Sequence, residues 1–288
     1  MLRRSIPAWM CRCRDIGLDF GAWLCSNWGA LWQDRKLGLA TALWRYCVAC
    51  LGSVPEVEAR YILHLDRGRM GDIRELAVAA GKGVGLAPDL EEQCEHTDCY
   101  YDDAGMSLEA KGLALRIRCG RDMQLNVALK EEFGHEEGFH VRGEFDEALR
   151  KTTVRKLARD LQDRGFGLEG EDQRDIEDWQ GLVLALRLRP VVVLYQLRQK
   201  LLFIGNSGPH TEFSLDRIRY LWPVPSLGPM ILEIERKGPL ATGFRAPLER
   251  SLSEHFPGLW APTQLSKKQI GIALQSQYQG SASVSDNQ

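Results

Sequence analysis

One pattern restricts the fold of this chain more than any other: short segments in which charged and apolar residues alternate with a period of two. Residues i, i+2 and i+4 of a β-strand share a face. Glu56, Glu58 and Arg60 therefore point one way in VPEVEARYIL, and Glu233, Glu235 and Lys237 do the same near the other end, with Met230, Leu232 and Ile234 opposite. Acid-x-acid-x-base thus occurs twice. Between the two copies lie Arg116 and Arg118, then Gln124, Asn126 and Lys130 alternating with Leu125, Val127 and Leu129, then Arg142, Glu144 and Asp146, and last Arg198 with Lys200. Gly, Pro and Asp separate these segments, as turns separate strands. The pattern predicts strands at 54–65, 97–102, 113–119, 123–132, 139–147, 190–204, 211–221 and 229–238, with helices at Asp72–Ala80, Val154–Arg164 and Gln173–Leu186.

A single charged strand face usually looks at solvent. Here the acids gather on the first and last strands and the bases on the middle ones, whereas an exposed sheet mixes Lys, Glu, Thr and Ser more freely. A closed antiparallel barrel with a polar lumen accounts for both sets, because closure removes the sheet edges and the helices can cover an apolar outer face. Charges taken out of water are costly unless paired or bound to ions. Such a lumen predicts an occupant that is highly anionic and accompanied by divalent metal, since carboxylate oxygens suit hard cations and Arg takes phosphate oxygens bidentately.

The same pieces, in order, resemble the CYTH superfamily, the triphosphate tunnel metalloenzymes. EVEAR resembles the opening Glu-x-Glu-x-Lys, with Arg60 in the place of Lys. TDCYYDD (Asp98, Tyr100, Tyr101, Asp102) and GLALRIR follow, Lys130 closes the next strand, and VRGEFDE resembles Arg-x-Glu-x-Glu with Asp146 in the last slot. YQLRQK, FSLDRI, LEIERK and LSKK complete a match over most of the chain. The resemblance implies an α+β fold, a closed eight-stranded tunnel with flanking helices, in which acids hold one or two Mg²⁺ or Mn²⁺ and bases grip a triphosphate. Carried over by residue, it makes Glu56, Glu58, Asp216, Glu233 and Glu235 metal ligands, with Glu144 contributing to a second metal. It makes Arg60, Arg116, Arg118, Lys130, Arg198 and Lys267 the phosphate grip, and strand parity adds Arg142, Lys200 and Lys237. Tyr100 and Lys130 match groups placed near the bridging oxygen, so Lys130, Tyr100 and Glu144 form the expected catalytic set. Arg60 for Lys and Asp146 for Glu alter geometry without removing charge.

The family runs several reactions in this tunnel. The expected one here is metal-dependent hydrolysis of a small triphosphate, inorganic tripolyphosphate or thiamine triphosphate. A class IV-type adenylate cyclase and a non-catalytic polyphosphate- or nucleotide-binding module are the alternatives.

Composition bounds the rest. With 44% hydrophobic and 26% charged residues the chain reads as a soluble globular protein, and its net charge of −2 gives no case for nucleic-acid binding. Eight irregularly spaced cysteines argue for a reducing, cytoplasmic setting rather than a disulfide framework. Residues 1–53 form a separate extension with five of the eight tryptophans and a basic excess over residues 1–50, seven Arg/Lys against three Asp. No window there reaches the ~18 uncharged apolar residues of a membrane span. An organelle-targeting peptide, an interfacial segment and an upstream stretch read from a misplaced start remain open for it. The tunnel domain is expected over 54–275 and a disordered Ser/Gln-rich tail after it; oligomeric state, monomer or homodimer, is left open. AAGKGVG lacks the phosphate-loop signature and reads as a helix end and turn. His135 and His140, in EEFGHEEGFH, read as solvated loop residues.

Overall fold

The computed structural model describes residues 55–136, 139–167, 176, 178–205, 208–237 and 243–285, and the side chains at 55, 56, 67, 135, 136, 208–210 and 277–285 also lie outside the description. The strands are β1 (Pro55–Leu63), β2 (Ala87–Asp102), β3 (Leu113–Gly120), β4 (Leu125–Glu136), β5 (Phe139–Ala148), β6 (Arg189–Gly205), β7 (Gly208–Trp222), β8 (Ser226–Arg236) and β9 (Trp260–Pro262). The helices are α1 (Met70–Gly83), α2 (Ser107–Ala110), α3 (Lys151–Asp163), α4 (Trp179–Ala185), α5 (Arg245–His255) and α6 (Lys267–Ser285).

The strand order β5-β4-β3-β2-β6-β7-β8-β1, with β5 also paired to β1, closes the antiparallel eight-stranded barrel that the charged stripes predict. Short β9 shares the second edge of β1 with β5, pairing only with Tyr61–Leu63.

Period-two alternation sorts the side chains. Ala59, Tyr61, Leu63, Phe213, Leu215, Leu232 and Ile234 face outward into a core completed by α1 and α5. Helix α1 presents Met70, Ile73, Ala77 and Ala80 at helical spacing to that core, and burying each large apolar side chain contributes about 1.5–3 kcal/mol. A second core joins Leu113, Leu115, Ile117, Val127 and Leu129 to Val154, Leu157 and Leu161 of α3 and Leu182 of α4. A third core fills part of the barrel interior, where Tyr100, Val192, Leu194, Ile218, Tyr220 and Ile231 meet Ile270 of α6. There α6 approaches so closely that a Cβ on Gly271 would lie 2.7 Å from the Tyr220 ring and 2.9 Å from Val192.

Several element boundaries differ from the sequence reading. β2 begins at Ala87 rather than 97, because APDLEEQCE lacks an apolar face yet pairs along its length with β6. Gly81–Gly85 form the expected helix end and turn: α1 runs to Gly83, and Gly85 follows at φ 75°. Of the expected 173–186 helix, α4 accounts for Trp179–Ala185, and 173–175 and 177 lie outside the described residues. Helix α5 was not anticipated; its stripe is only Leu248 and Leu252, and an Arg245–Glu249 pair supports it one turn apart. The backbone of α6 continues to Ser285, past the expected start of the tail, since extending an existing helix through Ser, Ala and Gln costs little. The extension 1–53 lies outside the described residues. No helix among the described residues is long and apolar enough to cross a membrane.

Candidate functional site

The inward faces of the eight barrel strands converge on a cavity of about 560 Å³. Its walls carry Arg60, Arg116, Arg118, Lys130, Arg142, Arg198, Lys200, Lys237 and Lys267, which are all nine cations named from the sequence. They also carry Glu109, Glu132, Glu144, Asp146, Glu212, Glu233 and Glu235.

Ladder register explains the arrangement. Lys130 lies opposite Ala114 on β3 and Glu144 on β5, while Arg116 lies opposite Ala128, so small residues leave room for the long side chains. Lys130 Nζ sits 3.2 Å from Glu144 Oε1, and Arg116 Nη2 sits 3.7 Å from that oxygen and 3.1 Å from Asp146 Oδ2. Asp98, on β2 opposite Arg118, is wholly buried and accepts both Arg118 Nε (2.7 Å) and Nη2 (2.9 Å). Burial raises the Asp98 carboxyl, but Arg116 and Arg118 outweigh that and hold it well below the usual carboxylate range. Lys130 and Arg116 likewise pull Glu144 down against the effect of burial. Tyr100 lines the cavity beside these groups, its hydroxyl pushed up by burial and then by the Asp98 charge.

On the opposite wall, Glu235 lies in register with Glu58 on β1 and Glu212 on β7, and Glu233 with Arg60 and Ser214. Arg198 donates to Asp216 through Nε (2.7 Å) and Nη2 (2.6 Å), and Nη2 also reaches Glu233 at 2.6 Å. Lys267 Nζ donates to Asp216 (2.5 Å) and Glu233 (3.0 Å). Burial opposes the charge on Glu233, yet Lys267, Arg198 and Arg60 keep its carboxyl well below the ordinary range. Lys267 is shifted down, by burial first and then by Arg198, against the pull of Asp216 and Glu233. Lys200 and Lys237 bracket Glu212 at 3.6 and 3.1 Å, and Lys237 Nζ lies 2.6 Å from Glu235.

Two of the expected metal ligands stand behind the cavity wall rather than on it. Glu58 is buried and accepts from Arg60 and, at 2.5 Å, from Arg142 Nη1. Asp216 is fully buried and accepts four bonds, from Gln196, twice from Arg198, and from Lys267. With its oxygens so occupied, Asp216 anchors cations as the structure stands. Glu144, Glu233 and Glu235 face the cavity; the Glu56 side chain lies outside the described residues.

Several groups at the site went unread in the sequence. Glu212 shares parity with Ser214 and Asp216 in TEFSLD and was legible from that spacing. His140 is buried, not solvated: its Nδ1 lies 3.0 Å from Glu132 Oε1 and its Nε2 3.4 Å from the Thr263 carbonyl. Burial raises Glu132, but His140 and Arg142 bring it down to about 2. Pairing across β4–β5, which places Glu132 opposite Arg142, is what encloses His140. Lys268 is buried against Asp102 and Glu109.

Among the described residues, no group of three or more His, Cys, Asp or Glu converges to hold a metal ion. The donors are nonetheless of the right kind. Hard carboxylate oxygens line the same cavity as the guanidinium and ammonium groups, and each that a phosphate displaced from its cation would offer lone pairs to Mg²⁺ or Mn²⁺.

The described residues thus form a closed antiparallel tunnel lined by interleaved cations and carboxylates. The family model described as CYTH domain matches residues 73–244, and the chain belongs to that family. Solved structures similar to it include HpAC1 from Hippeastrum, a proposed adenylyl cyclase described as having a dominant triphosphatase activity. That match is 18% identical, covers 76% of this chain and 95% of that one, and has a TM-score of 0.46. A proposed adenylate cyclase from Bacillus halodurans is 20% identical, with 74% and 96% covered and a TM-score of 0.41. The Mimivirus capping enzyme triphosphatase is 9% identical, with 77% and 96% covered and a TM-score of 0.36. No curated protein matches the chain.

Proposed function

We propose that the chain is a metal-dependent triphosphatase that hydrolyses a small triphosphate, inorganic tripolyphosphate or thiamine triphosphate, inside the tunnel. The observation that carries this reading is the convergence on one cavity of nine Arg and Lys side chains from β1, β3, β4, β5, β6, the residue after β8, and α6, each within a lattice of carboxylates. A polyanion entering the tunnel exchanges places with those carboxylates on the cations. Arg116, Arg118, Arg142 and Arg198 would take phosphate oxygens in forked pairs, and Lys130, Lys200, Lys237 and Lys267 would add point charges along the chain of phosphates. Holding the phosphates in line and neutralising them supplies most of the acceleration in phosphoryl transfer.

Glu233 and Glu235, with Glu56, would hold one Mg²⁺ or Mn²⁺ and Glu144 would contribute to a second; metal bound there would neutralise phosphate charge. Glu144, 3.2 Å from Lys130, would orient an attacking water, and Tyr100 and Lys130, which line the same cavity, would serve the leaving oxygen. The loose transition state asks little of a base, so a depressed Glu144 carboxyl is compatible with that task.

Phosphate release from tripolyphosphate, thiamine triphosphate and ATP, with and without Mg²⁺ or Mn²⁺, tests the proposal. Metal-dependent release from one of the first two is expected. Tight binding of all three without release would make the chain a binding module, and cyclic AMP from ATP would make it a cyclase.

A further inference from the structure

Lys267 and Lys268 are neighbours in sequence with opposite surroundings. Lys267 extends into the tunnel to Asp216 and Glu233. Lys268 is wholly buried on another side, its Nζ 2.8 Å from Asp102 Oδ2 and 3.0 Å from Glu109 Oε2. Asp102 is a rigid anchor, since it also accepts the backbone N–H groups of Asp103 (3.0 Å), Leu108 (2.9 Å) and Glu109 (3.1 Å). Gln269 adds a bond to Glu109 at 2.6 Å. Successive residues of an α-helix project about 100° apart. Fixing the direction of Lys268 therefore fixes that of Lys267.

The segment just before α6 is tied at its other end by Arg60. Arg60 Nη1 donates to the Leu265 carbonyl at 2.8 Å, and the Arg60 carbonyl accepts the Thr263 N–H at 2.9 Å. Nε donates to Glu233 at 3.0 Å and Nη2 to Glu58, so all three guanidinium nitrogens have protein partners. A lysine at this position, as in the family motif, could satisfy the acids but lacks the planar fork that also reaches the Leu265 carbonyl.

We propose that Arg60 and Lys268 are positioning residues that clasp the Leu265–Lys268 segment across the tunnel and thereby hold Lys267 inside it. In this chain Arg60 acts on the substrate through that segment more than by direct contact. The effect on catalysis rests on the triphosphatase reading, whereas the clasp itself does not.

Two measurements on the full chain separate them. The first is the rate of amine labelling of Lys267 by an acylating reagent, read by mass spectrometry, in wild type, Arg60→Lys, Glu109→Gln and Lys268→Met. Opening of the clasp should raise the labelling rate by about tenfold in Lys268→Met and by less in the two milder variants, as expected for a local opening. The second is KM and kcat for tripolyphosphate in the same variants, in Lys267→Met, and in Lys267→Met combined with Lys268→Met. KM should rise in Arg60→Lys and Lys268→Met, and adding Lys268→Met to Lys267→Met should bring no further rise, because the residue it positions is already gone. A merely structural Lys268 would lower the melting temperature and leave KM of Lys268→Met at the wild-type value. Wild-type labelling of Lys267 in folded Arg60→Lys and Glu109→Gln would overturn the clasp even if Lys268→Met does not fold. A wild-type protein that turns over no triphosphate would overturn the triphosphatase reading alone.

Discussion

Asp216→Asn is the substitution on which the description of the tunnel wall can be judged most sharply. The carboxylate is fully buried, and accepts Gln196 Nε2 at 3.0 Å, Arg198 Nε at 2.7 Å, Arg198 Nη2 at 2.6 Å and Lys267 Nζ at 2.5 Å. The amide keeps the shape but removes the charge and turns one oxygen into a donor that faces a cation. Breaking a buried ion pair from one side costs about 3–5 kcal/mol, because the remaining charges stay desolvated. Glu233 still faces both cations, which places the expected loss near the lower end, about 3 kcal/mol. With a urea slope of about 2 kcal/mol per M, the unfolding midpoint should fall by about 1.5 M. Asp89→Asn, at an exposed position, is the control and should stay within about 0.5 kcal/mol of wild type. A loss below about 1 kcal/mol for Asp216→Asn would refute the buried-anchor description, since only an exposed pair is worth so little. Kinetics on the same variant decide its role. An anchor that places Arg198 and Lys267 should raise the half-saturating tripolyphosphate concentration and leave that for Mg²⁺ alone; the opposite pattern would return Asp216 to the metal.

Gly271→Ala should destabilise the protein and raise KM. Ala is favoured over Gly in a helix by about 1 kcal/mol, but overpacking against Tyr220 and Val192 costs about 1–3 kcal/mol, so the net sign read by thermal unfolding tests which wins. Glu235→Gln should cut metal-dependent phosphate release by about 100-fold with an unchanged circular dichroism spectrum, and a wild-type rate would remove Glu235 from the site. Stability should fall with acid in two ranges. His96 is buried and held to about 3 from an ordinary 6.5, so the unfolded chain binds the extra proton and stability declines as pH drops below 6.5. Glu132 is held to about 2 from an ordinary 4.5, so its contribution is present above 4.5 and is lost as pH falls from there toward 2. Asp216, Glu144, Glu212 and Glu233 are depressed in the same direction and steepen the lower range. Urea midpoints across that pH span check this, and His96→Gln should remove the decline between 6.5 and 4.5 and make it shallower from there down to about 3, where Glu132 still contributes.

Much of the site was written in one dimension. Because strand side chains alternate with a period of two, Arg116 with Arg118, Glu144 with Asp146, and Glu233 with Glu235 had to share faces in any β fold, and the turns between them fixed most strand limits. The sequence determined the inventory of the lumen and, through the apolar residues between the charges, that the opposite face needed cover. Partnership was decided elsewhere. Ladder register set Glu212 beside Glu235 and Glu132 opposite Arg142, which buried His140 in a stretch that reads as an acidic loop. Only the pairing of β1 with the distant β8 set Arg60 across from Glu233, 173 residues away. Helix α6 sent one of two adjacent lysines into the tunnel and the other into a buried pair with Asp102, a choice no local spacing encodes. Strand parity is local geometry and survives in the sequence, whereas burial and charge pairing depend on which distant strands meet.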